Sequence, residues 1–364
     1  MAKRVGVDKW LFGIVLLLVL FGLVEVFSAS AVMAKATVGS PYSYVARQAL
    51  WALLGLIAMT VLMQIDYRRY NNLRVVQWAV GLEVFLLLTV FAMHDSHHTH
   101  RWFRFGGLFT FQPSEIAKPV LIVYLAYFLQ SRIHLMDDLK GTVLKAIALP
   151  ALVTVLIAAE PDLGTAIVCV AVTILMLYLA GAKVWHLSIP LMAAAPALAY
   201  MLLMVPWRLA RIKVFMNPEA DPRGAGFHIL QSLIAVGTGG FRGLGLMEGR
   251  QKLFYLPEPH TDFIFANICE ELGLIGALCI VALFVALGYR GLRVAVLSTD
   301  PFARFLAFGL TTVILVQAFF NMSVVLALLP TKGIPLPFIS SGGTSVFMTL
   351  ASMGVLLNVT REID

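Results

Sequence analysis

The residues with the strongest claim to chemistry are ionisable groups at the ends of, or inside, long apolar runs. A charge in such a run is costly, and its default meaning is a functional path or site. The segment Leu256-Pro257-Glu258-Pro259-His260-Thr261-Asp262 crowds two carboxylates and an imidazole ahead of an apolar stretch. That grouping suits acid–base chemistry or cation binding. Asp262 also stands where a carboxylate caps a helix N-terminus, a role that would hold its pKa down and weaken it as a base. A metal or other cation that acidifies the attacking hydroxyl would remove the difficulty.

Further groups follow the same logic. Glu115 and Lys118 are three residues apart in an apolar run, so they face one side of a helix and can pair. They read either as a mutually neutralising structural pair or as the lining of a polar cavity with Lys118 facing an anionic head group. Glu270 and Glu271 lie two turns beyond Asp262, and Glu270 shares nearly its face. Glu25 and Glu83 lack a sequence-near partner, and an interhelical hydrogen bond is expected for each. The segment Leu329–Ser345 is apolar enough for membrane depth, yet Pro330, Pro335 and Pro337 keep it from being helical. Irregular backbone at that depth must be buried in protein or line a wet cavity. Lys332 and the hydroxyls and amides of 340–345 are then natural phosphate ligands, against the simpler reading of a helix break with a capping lysine. His94, His97, His98 and His100 lack acid or cysteine company and read as a polar loop rather than a metal site. The glycines of 237–249 follow no strand, which argues against a dinucleotide-binding turn and for a flexible or close-packed loop.

The elements that must position these groups are membrane spans. The 364 residues are 60% hydrophobic and 13% charged, with a mean hydropathy of +0.88. Soluble domains are nearer half apolar and a quarter charged, so lipid must solvate much of this surface. About 20 helical residues cross the hydrocarbon. The expected spans are Trp10–Met33, Ala46–Gln64, Val75–Met93, Ser114–Gln130, Val143–Ala158, Leu163–Ala180, His186–Val205, Phe263–Tyr289, Phe302–Leu328 and Gly342–Val359. The fold class is thus an all-α polytopic membrane protein with about ten transmembrane helices. The net charge of +7 does not indicate nucleic acid, because most Lys and Arg lie between the apolar runs, as topology signals do. Their alternation places both termini on the cytoplasmic side and leaves a large extracytoplasmic loop, 206–262, between the seventh and eighth spans. Within it Phe227–Val236 has helical apolar spacing and reads as an amphipathic helix on the outer surface. The chain is otherwise one transmembrane domain, 1–364. Cys169, Cys269 and Cys279 fall in apolar runs and read as buried small hydrophobes.

Taken in order, several segments resemble the SEDS family of peptidoglycan polymerases, whose members include FtsW, RodA and SpoVE. They are Phe27-Ser28-Ala29-Ser30, Arg101-Trp102-Phe103-Arg104, Phe111-Gln112-Pro113-Ser114-Glu115-Ile116-Ala117-Lys118 and Pro161-Asp162-Leu163-Gly164-Thr165. They continue with Gly226–Ser232, Leu256–Phe265, Glu270-Glu271-Leu272-Gly273 and Leu329–Ser345. The opening Phe-Ser-Ala-Ser, Gln251-Lys252-Leu253 and the Leu-Pro-Thr-Lys-Gly loop favour an FtsW-like, division role. Asp221–Gly226 and Gly333–Pro337 also suit a RodA-like, elongation role. Ser341 stands where the family usually has Tyr, Glu160 where Gln is common, and Glu25 where an apolar residue is usual.

The resemblance implies polymerisation of lipid II into glycan strands by inverting β-1,4 glycosyl transfer at the outer face of the bacterial inner membrane. It places the essential acid at Asp262. The polar cavity falls on Arg101, Glu115, Lys118, Asp162, Glu258, Lys332 and Ser340. Asp262 is expected as base, with or without a divalent cation, Mg or Mn, and no organic cofactor. Lys118, Lys332, Arg101 and Arg208 are the candidates for the pyrophosphate of an undecaprenyl-pyrophosphate-linked glycan, with Glu115 orienting Lys118. A class B penicillin-binding protein, the transpeptidase, is the implied partner. The alternatives are a lipid II flippase or a non-catalytic scaffold of a cell-wall synthesis complex.

Overall fold

A computed structural model of the chain describes residues 6–92, 101–105, 109–204, 206–222, 224 and 226–362. The histidines at 94–100 lie outside the described residues. The elements are α1 (Lys9–Val38), α2 (Ser43–Leu62), α3 (Leu73–Ala92), β1 (Phe103–Phe105), β2 (Phe109–Phe111), α4 (Pro113–Gln130), α5 (Leu144–Ala159) and α6 (Leu163–Leu179). They continue with α7 (Val184–Leu203), α8 (Pro206–Met216), α9 (Phe227–Gly239), α10 (Ile264–Leu297), α11 (Pro301–Val325) and α12 (Gly343–Thr360). Each expected span lies on one of these helices. Among the described residues, seven helices are long and apolar enough to cross a bilayer: α1, α2, α3, α5 with its leading turn, α10, α11 and α12.

Three features depart from the sequence reading. β1 and β2 pair antiparallel, with Phe103 opposite Phe111, so the connection before α4 is a small hairpin rather than a plain loop. The stretch after α7 forms α8, a basic amphipathic helix that was not expected. Cys279 is exposed on the outside of α10, whereas Cys169 and Cys269 are buried as expected.

α11 is the axis of the bundle, packed on α10, α4, α6 and α12. In lipid, such helices are held by close packing and buried hydrogen bonds rather than by escape from water. One edge of the bundle brings the start of α1 against the end of α12. The Asp8 carboxylate caps α1 by accepting from the Trp10 and Leu11 N–H groups at 3.0 Å. It also accepts from Arg290 Nη2 at 2.6 Å on α10. The Asp8 N–H donates to Thr360 Oγ1 at 3.2 Å. Tyr67, before α3, donates its N–H to Asn358 Oδ1 at 2.9 Å.

α10 spans 34 residues, about 51 Å at the rise of an α-helix and well beyond the roughly 30 Å of hydrocarbon. It is interrupted at Gly273, whose φ of 64° and ψ of −163° no side-chain-bearing residue adopts readily. The 240–245 turn repairs the break. The Leu274 N–H reaches the Gly240 carbonyl at 2.9 Å and the Gly245 N–H reaches the Glu271 carbonyl at 2.9 Å. The segment above the break carries Glu270 and Glu271; the one below runs apolar from Leu274 to Tyr289.

Candidate active site

α10 begins at Ile264 with Phe263 as its N-cap, and no side chain caps it. The expected capping role of Asp262 is therefore corrected: the residue stands one position too early. The expectation of a lowered pKa falls with it. Burial, then the nearby Glu258 charge, pushes the Asp262 carboxyl up to about 6 against the pull of Arg211 and Arg101, with Asp162 adding to the rise. An acid of that pKa is ionised at neutral pH and basic enough to take a proton.

Two tethers fix Asp262 in place. Asn321 of α11 donates from Nδ2 to the Asp262 carbonyl at 2.9 Å and to the Ile334 carbonyl at 2.7 Å. Ser340 Oγ donates to the Thr261 carbonyl at 2.6 Å and accepts from the Leu336 N–H at 2.7 Å. The Ser341 N–H adds a bond to the His260 carbonyl at 2.9 Å. Ser340 is thus fully buried and holds the loop to the 260–262 segment; its hydroxyl is not presented to a ligand. Gly333 runs against the carboxylate: a Cβ there would lie 2.7 Å from Asp262 Oδ2. Lys332, half-buried, is its chain neighbour.

The rest of the expected constellation divides in two. Asp162 caps α6 by accepting from the Thr165 N–H at 3.2 Å. Its other oxygen accepts from Gln112 Nε2 at 2.8 Å and Ser114 Oγ at 3.0 Å. Arg101 donates Nε to the Glu160 carbonyl at 2.8 Å and Nη2 to the Pro161 carbonyl, so it braces the α5–α6 turn while its charge still acts on Asp262. Glu258 is largely exposed, its Oε2 3.6 Å from Nε2 of the buried His260. Burial holds the His260 pKa below the usual histidine range, with Glu258 opposing.

Deeper in the bundle, Lys118 Nζ donates to Glu115 Oε2 at 2.8 Å and to Gln317 Oε1 at 2.9 Å, and Gln317 Nε2 reaches the Pro335 carbonyl at 2.9 Å. Both members of the pair are buried. The mutual bond fits the structural-pair reading, and a small cavity that the pair borders between α4, α11 and α12 fits the polar-cavity reading. Arg208 lies on α8, but its side chain is outside those described. Arg211, one turn further on, is the α8 cation whose charge reaches Asp262.

Glu270 and Glu271 belong to a separate knot. Glu271 accepts from Lys252 Nζ at 2.7 Å, Ser28 Oγ at 2.7 Å and the Met247 N–H at 2.8 Å. Glu270 accepts from the Arg250 N–H at 2.9 Å. The pair therefore latches the 247–252 loop to α10 and does not share the Asp262 site. Glu25 makes the expected interhelical bond, accepting from Asn267 Nδ2 at 3.2 Å. Glu83 does not: among the described residues its two buried oxygens, like those of Glu160, have no hydrogen-bond partner.

A divalent cation would meet hard oxygen donors here, but few. Among the described residues no three His, Cys, Asp or Glu side chains converge on one point. Asp262 and Glu258 alone suit an ion that keeps its waters and takes its remaining ligands from substrate phosphate, as magnesium commonly does.

Sequence reasoning missed Arg211, Asn321 and Lys252 as site or supporting groups. A lone Asn or Lys in or beside an apolar helix was the available signal, since a polar group at that depth must be bonded.

A helical membrane bundle with a half-buried carboxylate tethered to a proline-rich loop defines the class. A family model described as "Cell cycle protein", that of FtsW, RodA and SpoVE, matches residues 8–364, and the chain belongs to that family. It is 44% identical to the probable peptidoglycan glycosyltransferase FtsW of Geobacter sp. (strain M18), covering 100% of this chain and 99% of that one. It is 38% identical to the stage V sporulation protein E of Bacillus subtilis (strain 168), covering 99% and 98%. Among solved structures, a chain from work on the structural coordination of polymerization and crosslinking by a peptidoglycan synthase complex superposes with a TM-score of 0.77 at 26% identity over 98% of each chain. The crystal structure of the Thermus thermophilus rod shape determining protein RodA gives 0.69 at 25% identity, again over 98% of each.

Proposed function

We propose that this chain is a peptidoglycan glycosyltransferase of the FtsW type, polymerising lipid II at the outer face of the inner membrane. The observation that carries the proposal is Asp262: a half-buried carboxylate with a pKa of about 6, fixed from α11 and from the 329–345 loop. The full-length identity to relatives named as FtsW supports the substrate and the division role. The crossing count is ten, with both termini cytoplasmic. The bond between Asp8 and Thr360 supports an even number of crossings, and the Lys and Arg bias supports the orientation.

In the reaction the Asp262 carboxylate takes the proton of the acceptor sugar 4-hydroxyl. That oxygen attacks the donor anomeric carbon from the face opposite the pyrophosphate, the new C–O bond forms as the old one breaks, and the lipid pyrophosphate departs with the electron pair. Inversion in one displacement needs no covalent sugar–enzyme intermediate. Positive charge at the leaving group comes from Lys332 and from α8, with Arg208 and Arg211. Arg101, Asp162, Gln112 and Ser114 hold the α5–α6 turn beside them. Glu115 and Lys118 support the loop through Gln317. Magnesium or manganese held by Asp262 and Glu258 would neutralise pyrophosphate charge. A class B penicillin-binding protein is the proposed partner, supported by the likeness to a chain of a peptidoglycan synthase complex.

The test is incubation of the purified chain with lipid II, with and without such a partner, reading glycan length on a gel. Polymer supports the proposal. Movement of lipid II across a vesicle without polymer supports a flippase instead.

A further inference from the structure

At the edge where the start of α1 meets the end of α12, away from Asp262, lies a cavity of about 450 Å³ between the first turns of α3, the last turns of α4 and the start of α5. That size falls within the roughly 300–1,000 Å³ of small-molecule sites. Its lining includes the half-buried Val80, Phe128 and Leu149, the exposed Gln77 and Ser131, and Arg132. The Arg132 guanidinium lies over the Phe128 ring, its carbon 4.3 Å from the centroid. Its one described hydrogen bond is weak, from Nη1 to Ser131 Oγ at 3.3 Å. Among the described residues no carboxylate lies within ion-pair distance of it. The nearby acids are engaged elsewhere: Asp137 with Lys183 at 3.1 Å, and Asp138 with the Gly141 N–H at 2.9 Å. Asp66 accepts from the Arg68 N–H at 2.9 Å. Arg74 and Lys145 are exposed at the same edge.

A stacked arginine over an apolar cleft, in a basic rim at a membrane edge, is built for an amphipathic anion. Arginine presents a planar fork that matches phosphate oxygens, and stacking on an aromatic ring preorders it. The apolar wall suits the upper part of an acyl chain. Basic pockets between membrane helices on the cytoplasmic side take anionic lipid head groups. We propose that this cavity binds an anionic phospholipid of the adjoining leaflet, its phosphate on Arg132 and an acyl chain along Phe128 and Leu149. The inference rests on reading this edge as a membrane interface. It is independent of glycosyl transfer.

The test is native mass spectrometry and thermal unfolding of the full chain, released from detergent with phosphatidylglycerol or with phosphatidylcholine of the same chains. The expected result is several-fold greater retention of phosphatidylglycerol and a rise in Tm with that lipid alone. Arg132→Gln should weaken its retention about fivefold, as for loss of one cation near a charged lipid surface. Leu149→Trp, which fills the cavity, should reduce it too. Equal retention of the two lipids, or unchanged retention in Arg132→Gln, would overturn the proposal. So would competition by free glycerol phosphate as effective as by the lipid, which would mark a simple anion site. If Leu149→Trp does not fold, Arg132→Gln decides alone.

Discussion

The pH dependence of the Asp262 carboxyl gives the sharpest quantitative expectation. A base must be ionised to work, so the rate should follow the ionised fraction of Asp262. With a pKa of about 6 that fraction is about 0.9 at pH 7 and about 0.09 at pH 5, whereas the ordinary value of 3.8 would leave about 0.94 ionised at pH 5. Initial rates of lipid II polymerisation should therefore fall about tenfold from pH 7 to pH 5 and level off above pH 7. Glu258 contributes to the elevation, so Glu258→Gln should move the acid limb to lower pH and raise the relative rate at pH 5. Rates are read in the linear phase, with circular dichroism confirming the fold at each pH. A rate that is flat between pH 5 and pH 7 in the folded wild type would refute the reasoning, whatever the effect of replacing Asp262.

Other expectations follow from neighbouring contacts. Gly333→Val places a side chain where Asp262 Oδ2 lies. It should cut kcat at least tenfold with little change in Tm, because the position is exposed; an unaltered kcat would show that the loop does not approach the carboxylate. Glu160 is buried without a hydrogen-bond partner among the described residues, and burial, with Asp162 and Glu83 adding, pushes its carboxyl from 4.5 up to about 8. A raised acid pKa means that the unfolded chain ionises first. The resulting loss of stability begins above pH 4.5 and is complete by about pH 8, several kcal/mol at most. Glu160→Gln should raise Tm at pH 8 and leave it nearly unchanged at pH 4.5, as differential scanning fluorimetry would read. Breaking the buried Lys252–Glu271 pair by Lys252→Met should cost about 3–5 kcal/mol. Adding Glu271→Gln should recover part of the lost Tm; strictly additive losses would mean that the two residues do not interact.

The body plan was legible from apolar run length and charge alternation because lipid permits few alternatives. Every expected span lies on a helix, and Asp262, Lys332 and the 329–345 loop were found because polar or proline-broken sequence at membrane depth is conspicuous. What could not be read was which bonds those groups make. Asp262 looked like a cap, but one residue of offset at Phe263 removes it from the helix end and reverses the expected pKa shift. Lys118 and Ser340 looked like ligands, but Gln317 and Thr261, far away in sequence, engage them. Glu270 looked like a neighbour of Asp262, but the N–H groups of Arg250 and Gln251 in the 247–252 loop engage it as an anchor. Side-chain type and spacing announce that a group is unusual; the partner that decides its role comes from tertiary contact.

The central claim is that Asp262 is the base of a polymerase. The direct measurement is glycan formation from lipid II by the purified wild-type chain, with and without the proposed class B penicillin-binding protein, beside an Asp262→Asn variant of equal Tm. The expected result is long glycan strands from the wild type and a rate about 10²–10⁴-fold lower from the variant. Strands of equal length and rate from Asp262→Asn would contradict it.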